Sequence, residues 1–148
     1  MAATVLDRIR EALLAAGDGR SVAVGWATVE LDRAAVELAV LLGLTPEAFV
    51  PAGDSLALGA RSRVAAGVLP DGLSLAILEP IAEGRLAGRL ARLGEGPAAV
   101  WSPFGAGTSG KASAARSGPF GAERLVPGGP AQGPYRLLIV SAPGTIPP

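Results

Sequence analysis

The chain has no cysteine and no histidine. Without cysteine there is no disulfide framework, zinc ribbon or thiol nucleophile. Without histidine, every mechanism that needs an imidazole base is excluded. A metal site could draw only on carboxylates, hydroxyls and carbonyls, which suit Mg²⁺ or Ca²⁺ better than Zn²⁺ or Cu²⁺. Aromatic residues make up 4% of the chain, so a core must be built of Ala, Val and Leu. Neither sign of charge dominates: Lys+Arg and Asp+Glu number 13 each. No strong pull toward nucleic acid or an anionic membrane is expected. No apolar run is longer than Leu38 to Leu42, far short of the ~20 residues that span a bilayer. Asp7, Arg8, Arg10 and Glu11 interrupt any signal-peptide pattern at the start, so a cytoplasmic location is expected. Asn is absent, Lys111 is the only lysine and Gln132 the only glutamine, a bias that reads as GC-rich coding rather than function.

What remains is a chain of 148 residues, 49% hydrophobic, which predicts one domain over 1–148. Residues 3–16 read as a helix with Val5, Leu6, Ile9, Leu13 and Leu14 on one stripe, stopped by Gly17-Asp18-Gly19. Ser21 to Leu31 alternates as a strand. Asp32 is a candidate N-cap for a helix over 33–42 that turns Ala35, Val36, Leu38, Ala39 and Leu42 inward, and Gly43 ends it. Ser55–Ala60, Arg61–Val68 and Leu73–Leu78 form a predicted antiparallel meander, with Pro70-Asp71-Gly72 as its last turn. Ala82 to Leu93 reads as a helix and Ala98–Trp101 as a short strand. Gly, Pro, Ser and Ala dominate 102–134, a long loop with Glu123–Val126 as a possible strand. Tyr135–Ser141 is a final strand. The class is α+β with a mostly antiparallel sheet.

Few motifs carry chemistry. Gly105 to Ser113 matches GxGxxG, and matches GxxxxGK until Ala112 takes the place of the Mg²⁺-binding Ser or Thr. A poor helix follows and no Asp occurs after Asp71, so chance in a Gly-rich segment explains it best. Arg85, Arg89 and Arg92 share a helix face. They could seat phosphates, such as those of coenzyme A, although a solvated face is the ordinary reading. Arg61 and Arg63 share a strand face that points either into a cup or to water. Trp26 and Trp101 read as core or interface. Glu30, Glu47, Glu79 and Glu95 show no acid/base pairing, and Glu79 before Pro80 reads as structural.

Three stretches, in order, resemble the vicinal-oxygen-chelate (glyoxalase/bleomycin-resistance) superfamily. Val24-Gly-Trp-Ala-Thr-Val-Glu-Leu-Asp-Arg-Ala-Ala35, with Leu42-Gly43-Leu44, resembles its opening strand and helix. Leu75-Ala-Ile-Leu-Glu-Pro80 resembles its fourth strand. Leu90-Ala-Arg-Leu-Gly-Glu-Gly-Pro-Ala-Ala-Val-Trp101 is similar to the linker into the second module, in the form seen in methylmalonyl-CoA epimerases. The resemblance covers residues 21–101. With the N-terminal helix (1–20) as an extra element, it implies a β-α-β-β-β module (21–81) and a linker helix with a shortened second module (82–148). It also implies a curved sheet whose cup holds a divalent metal. The positions matching the ligands are Ala23, Ala76, the Ala98-Ala99 pair and, loosely, Ile139. Methyl groups coordinate no cation, so neither metal nor other cofactor is expected.

The leading functional expectation is therefore a metal-free binder of a small, largely apolar ligand, such as an acyl-CoA or an apolar natural product. Ala23, Gly25, Ala27, Ser74, Ala76 and Ala98 would line the cup, with Arg63, Ser74 and Tyr135 as its polar groups. The second expectation is a metal-independent epimerase, isomerase or lyase acting next to a carbonyl, with Glu47 as the available base. The third is a non-catalytic interaction module with a filled cup. Exposed sheet and the family's habit of pairing modules imply a homodimer.

Overall fold

The fold is described from a computed structural model, which covers residues 4–16, 20–103, 115–127 and 133–140. The Gly105–Ser113 motif, the Gly17–Gly19 helix stop and the tail after Val140 lie outside these residues.

Among the described residues seven strands form one sheet, in the order β2-β3-β4-β1-β5-β7-β6. The strands are β1 (Ala23–Ala27), β2 (Val50–Ser55), β3 (Ala60–Ala65), β4 (Ser74–Pro80), β5 (Gly96–Pro103), β6 (Glu123–Leu125) and β7 (Tyr135–Ile139). Three helices accompany them among the described residues: α1 (Val5–Ala16), α2 (Leu31–Leu41) and α3 (Arg85–Leu93). β1 runs parallel to β4, and β5 parallel to β7, while the other neighbours are antiparallel. The order β5-β7-β6 therefore repeats β1-β4-β3 across the central β1–β5 seam. The expected α+β class and mostly antiparallel sheet are observed, with the sheet curled into a half-barrel.

Each face has its own apolar cluster. Val24, Trp26, Leu75 and Ile77 alternate toward the helices, where they meet Ile9 of α1 and Leu31, Ala34, Ala35, Leu38 and Ala39 of α2. Ala23, Ala27, Ala76 and Leu78 alternate toward the concave face and join Leu58, Leu86, Trp101, Leu125 and Leu137. This is the period-two consequence of a pleated strand buried on both sides.

Several boundaries differ from expectation for identifiable reasons. α2 starts at Leu31, so Asp32 lies inside its first turn rather than capping it. The free N–H of Leu31 is satisfied from across the sheet, by Glu79 Oε1 at 2.8 Å. Val36 is exposed, because the buried set Leu31, Ala34, Ala35 and Leu38 defines a stripe that excludes it. Leu14 likewise faces water, and Ala12 and Ala16 are buried in α1. Residues expected as a strand at 56–59 form the β2–β3 turn, which Gly59 completes at φ +70. At the β3–β4 turn both Asp71 (φ 65) and Gly72 (φ 76) are left-handed, where only the glycine was expected to be.

Candidate functional site

The concave face is filled by the protein's own side chains. Trp101 on β5 is fully buried, and its indole lies over β1. A Cβ at Gly25 would stand 2.8 Å from Trp101 Cζ3 and 2.8 Å from Leu78 Cδ1, so that site admits no larger residue without displacement. Phe120 meets the indole edge-to-face at 5.1 Å between centroids. Ala23, Ala76 and Ala99 are wholly buried beside these rings. The small side chains that suggest an open cup thus make room for Trp101.

The sequence reading missed the main polar group here. Glu123, on the edge strand β6, is 1% exposed. Its Oε1 accepts from Trp101 Nε1 at 2.9 Å, and its Oε2 accepts from the Ser55 hydroxyl at 2.6 Å. The Ala57 N–H also donates to this carboxyl. Ser55 ends β2, the opposite edge of the sheet. One carboxyl group therefore clasps the two outermost strands, and the Leu56 N–H to Ser117 carbonyl bond (3.0 Å) reinforces the closure. Gly118 is needed beneath it, because a Cβ there would stand 2.0 Å from Glu123 Oε1. Burial pushes the Glu123 pKa up, and the three donated hydrogen bonds oppose this without cancelling it. A buried carboxyl whose pKa is raised is a candidate for proton transfer. The one signal in the sequence was its place in the brief strand Glu123–Val126.

The other candidates separate. Ala23, Gly25, Ala27, Ala76 and Ala98 come together on the concave side, and Tyr135 packs against the same cluster. The Tyr135 hydroxyl donates to the Arg85 carbonyl at 3.0 Å. Ser74 sits at the start of β4, where its hydroxyl accepts from the Gly67 N–H at 3.1 Å. Arg63 is not in the cup. It opposes Ile77 on the helix side and donates to Asp32 of α2 at 2.6 Å. Arg61 lies on that side too, bonded to Glu79. Glu47 is exposed in the turn after α2, two residues before Phe49, which packs in the helix-side cluster. The arginines of α3 divide: Arg85 and Arg92 are exposed, whereas Arg89 is buried. Arg89 donates to the carbonyls of Gly133 (2.6 Å) and Pro97 (3.3 Å) and lies over the Tyr135 ring.

Glu95 is a brace. Its Oε2 accepts from Thr28 Oγ1 (3.0 Å), the Val29 N–H (3.0 Å) and Arg33 Nη2 (2.7 Å). Partial burial pushes its pKa up, but these donors outweigh it and hold the group below its ordinary value. Glu79 behaves alike: burial opposes, while the Leu31 N–H and Arg61 prevail.

A divalent metal does not fit this face. The expected ligand positions Ala23, Ala76, Ala98 and Ala99 offer only methyl groups. The fourth, Ile139, is apolar, and its register partner is Glu123. Both oxygens of that carboxyl already accept hydrogen bonds, and no three acidic side chains gather among the described residues.

Beside Glu123 a cleft of about 190 Å³ opens, lined by Leu56, Ala57, Arg85, Arg116 and Leu125. No helix among the described residues is long and apolar enough to cross a membrane.

No family model matches the chain, and a search of curated proteins finds no match. Solved structures do match. A Streptomyces coelicolor methylmalonyl-CoA epimerase variant, in complex with 2-nitronate-propionyl-CoA, superposes with a TM-score of 0.60 at 20% identity, covering 84% of this chain and 95% of that one. Methylmalonyl-CoA epimerase from Mycobacterium tuberculosis gives 0.61 at 17% identity, covering 97% and 93%. A hypothetical protein from Bacillus halodurans C-125 gives 0.58 at 13% identity, covering 80% and 91%. The curled sheet repeated about a central seam is shared over most of each of these chains, so this chain has the fold of the methylmalonyl-CoA epimerases.

Proposed function

We propose that the protein binds a small molecule on its concave side without a metal ion, the ligand being an acyl thioester or a similar, largely apolar compound. The carrying observation is the pairing of an emptied metal site with an open cleft beside one buried carboxyl group, Glu123. Trp101 occupies the centre of the cup, so the ligand enters at its rim. Crystallised relatives of this fold hold an acyl-CoA analogue, which supports the ligand class.

A second reading, proton transfer next to a carbonyl, is favoured by the raised pKa of Glu123. A third, a homodimeric interaction module, is favoured by the packed centre. One experiment orders the three: propionyl-CoA titrated into the protein by calorimetry, with and without EDTA, while α-proton exchange is followed in D₂O. Saturable binding indifferent to EDTA is expected. Exchange that is lost in Glu123→Gln and kept in Glu47→Gln adds catalysis, and the reverse makes Glu47 the base. No binding of propionyl-CoA or of apolar natural products leaves only the interaction module.

A further inference from the structure

The cleft beside Glu123 has a distinct chemistry. Among the described residues that line it, Arg85 and Arg116 are guanidinium groups and none is a carboxylate. Both arginines are exposed and make no ion pair among the described residues. By contrast, Arg33, Arg61 and Arg63 are each matched to an acid. Leu56, Ala57 and Leu125 supply an apolar floor.

Two further observations point the same way. α3 opens on Gly84 with no side-chain cap and no acid in its first turn, and Arg85 stands at that positive end. A cation there opposes the helix dipole, and an incoming anion relieves both. From Gly84 onward the chain has seven Lys/Arg but two Asp/Glu. Of those two acids, Glu95 is bonded to Arg33 and Glu123 is buried. The net charge of +0 thus conceals a basic second half.

We infer that this cleft seats a small oxyanion carried on a short alkyl body, with Arg85 and Arg116 gripping the oxyanion and Leu56, Ala57 and Leu125 covering the alkyl part. The volume sets the size. At about 190 Å³ the cleft is below the roughly 300 Å³ at which drug-sized pockets begin. The cleft thus takes one end of a ligand, a carboxylate or phosphate on a short alkyl segment, and leaves the rest of a larger ligand outside.

The inference rests on the ligand-binding reading and names where the polar end of that ligand sits. Its test uses butyrate, butyl phosphate and inorganic phosphate, titrated into the full chain and followed by NMR. At least one butyl compound should bind saturably and more tightly than inorganic phosphate. Arg85→Gln and Arg116→Gln should each weaken it about tenfold, as for loss of one charge-assisted hydrogen bond. Higher salt should weaken it too. Both substitutions are at exposed side chains, and an unchanged circular dichroism melt reports intact folding. Binding of butyrate shows a carboxylate seat, and binding of butyl phosphate alone shows a phosphate seat. No binding of either, or binding that both variants retain, overturns the inference. If propionyl-CoA still binds in that event, the cleft assignment fails while the ligand-binding reading stands.

Discussion

The two halves of the sheet share a strand order but are finished differently. β1–β4 carries its own helix, α2, and sets its charges in pairs around it: Arg63 with Asp32, Arg61 with Glu79, Arg33 with Glu95. β5–β7 has no helix between its strands among the described residues, and α1 packs on β5 instead. Its concave side is closed by Trp101, Phe120 and the buried Glu123. One half is held by conventional amphipathic packing. The other is held by one large aromatic and one buried acid, and two of its arginines, Arg85 and Arg116, make no ion pair among the described residues. The shortened half thus supplies both the filling of the cup and the candidate site.

The contrast can be broken most severely at Trp101. Trp101→Ala removes a buried ring and strips a donor from Glu123, and should cost about 3–5 kcal/mol. Its counterpart in the other half, Gly25→Ala, forces a methyl into the ring and should cost about 1–3 kcal/mol. Urea denaturation measures both. Together they should cost less than their sum, because the small residue exists to admit the large one. Strict additivity would show that the two do not share the space.

The halves should also titrate in opposite senses. Glu123 has a raised pKa, so the stability it contributes is complete below the ordinary carboxylate range and is lost as pH rises through its folded value. Glu79 and Glu95 are lowered, so theirs is present at neutral pH and lost as pH falls through their folded values. Glu123→Gln should flatten the upper limb of a stability–pH curve and leave the acid limb. A wild-type curve with no decline on the upper side would remove the Glu123 argument. The smallest effect belongs to Arg63→Ala. Its partner Asp32 is 79% exposed, and such surface pairs contribute little. Stability and propionyl-CoA affinity should both stay near wild type. A large loss of affinity would return Arg63 to the binding site.

The parts legible in the sequence were those with local causes. The α2 stripe, the Leu75–Pro80 strand and the Pro70-Asp71-Gly72 turn could be read from periodicity and turn chemistry. Glu123 could not. It stands in a Gly- and Pro-rich stretch, and its partners Ser55 and Trp101 are 68 and 22 residues away. Arg63 was ambiguous because strand parity sorts residues into two faces without saying which one the helices cover. Glu79 carried a structural expectation, and its partner, the Leu31 N–H, lies 48 residues back.

By itself the sequence determined that imidazole and thiolate chemistry are impossible and that the chain resembles a metal-binding fold with its ligands replaced. These follow from residue identity, which needs no coordinates. Tertiary structure decided what fills the vacated space. Whether small side chains leave a cavity or admit a neighbour depends on which distant residue reaches them. Here the curl of the sheet brings Trp101 over Gly25 and closes Glu123 against Ser55. The small residues of the cup become packed core, with a cleft bearing Arg85 and Arg116 at its rim.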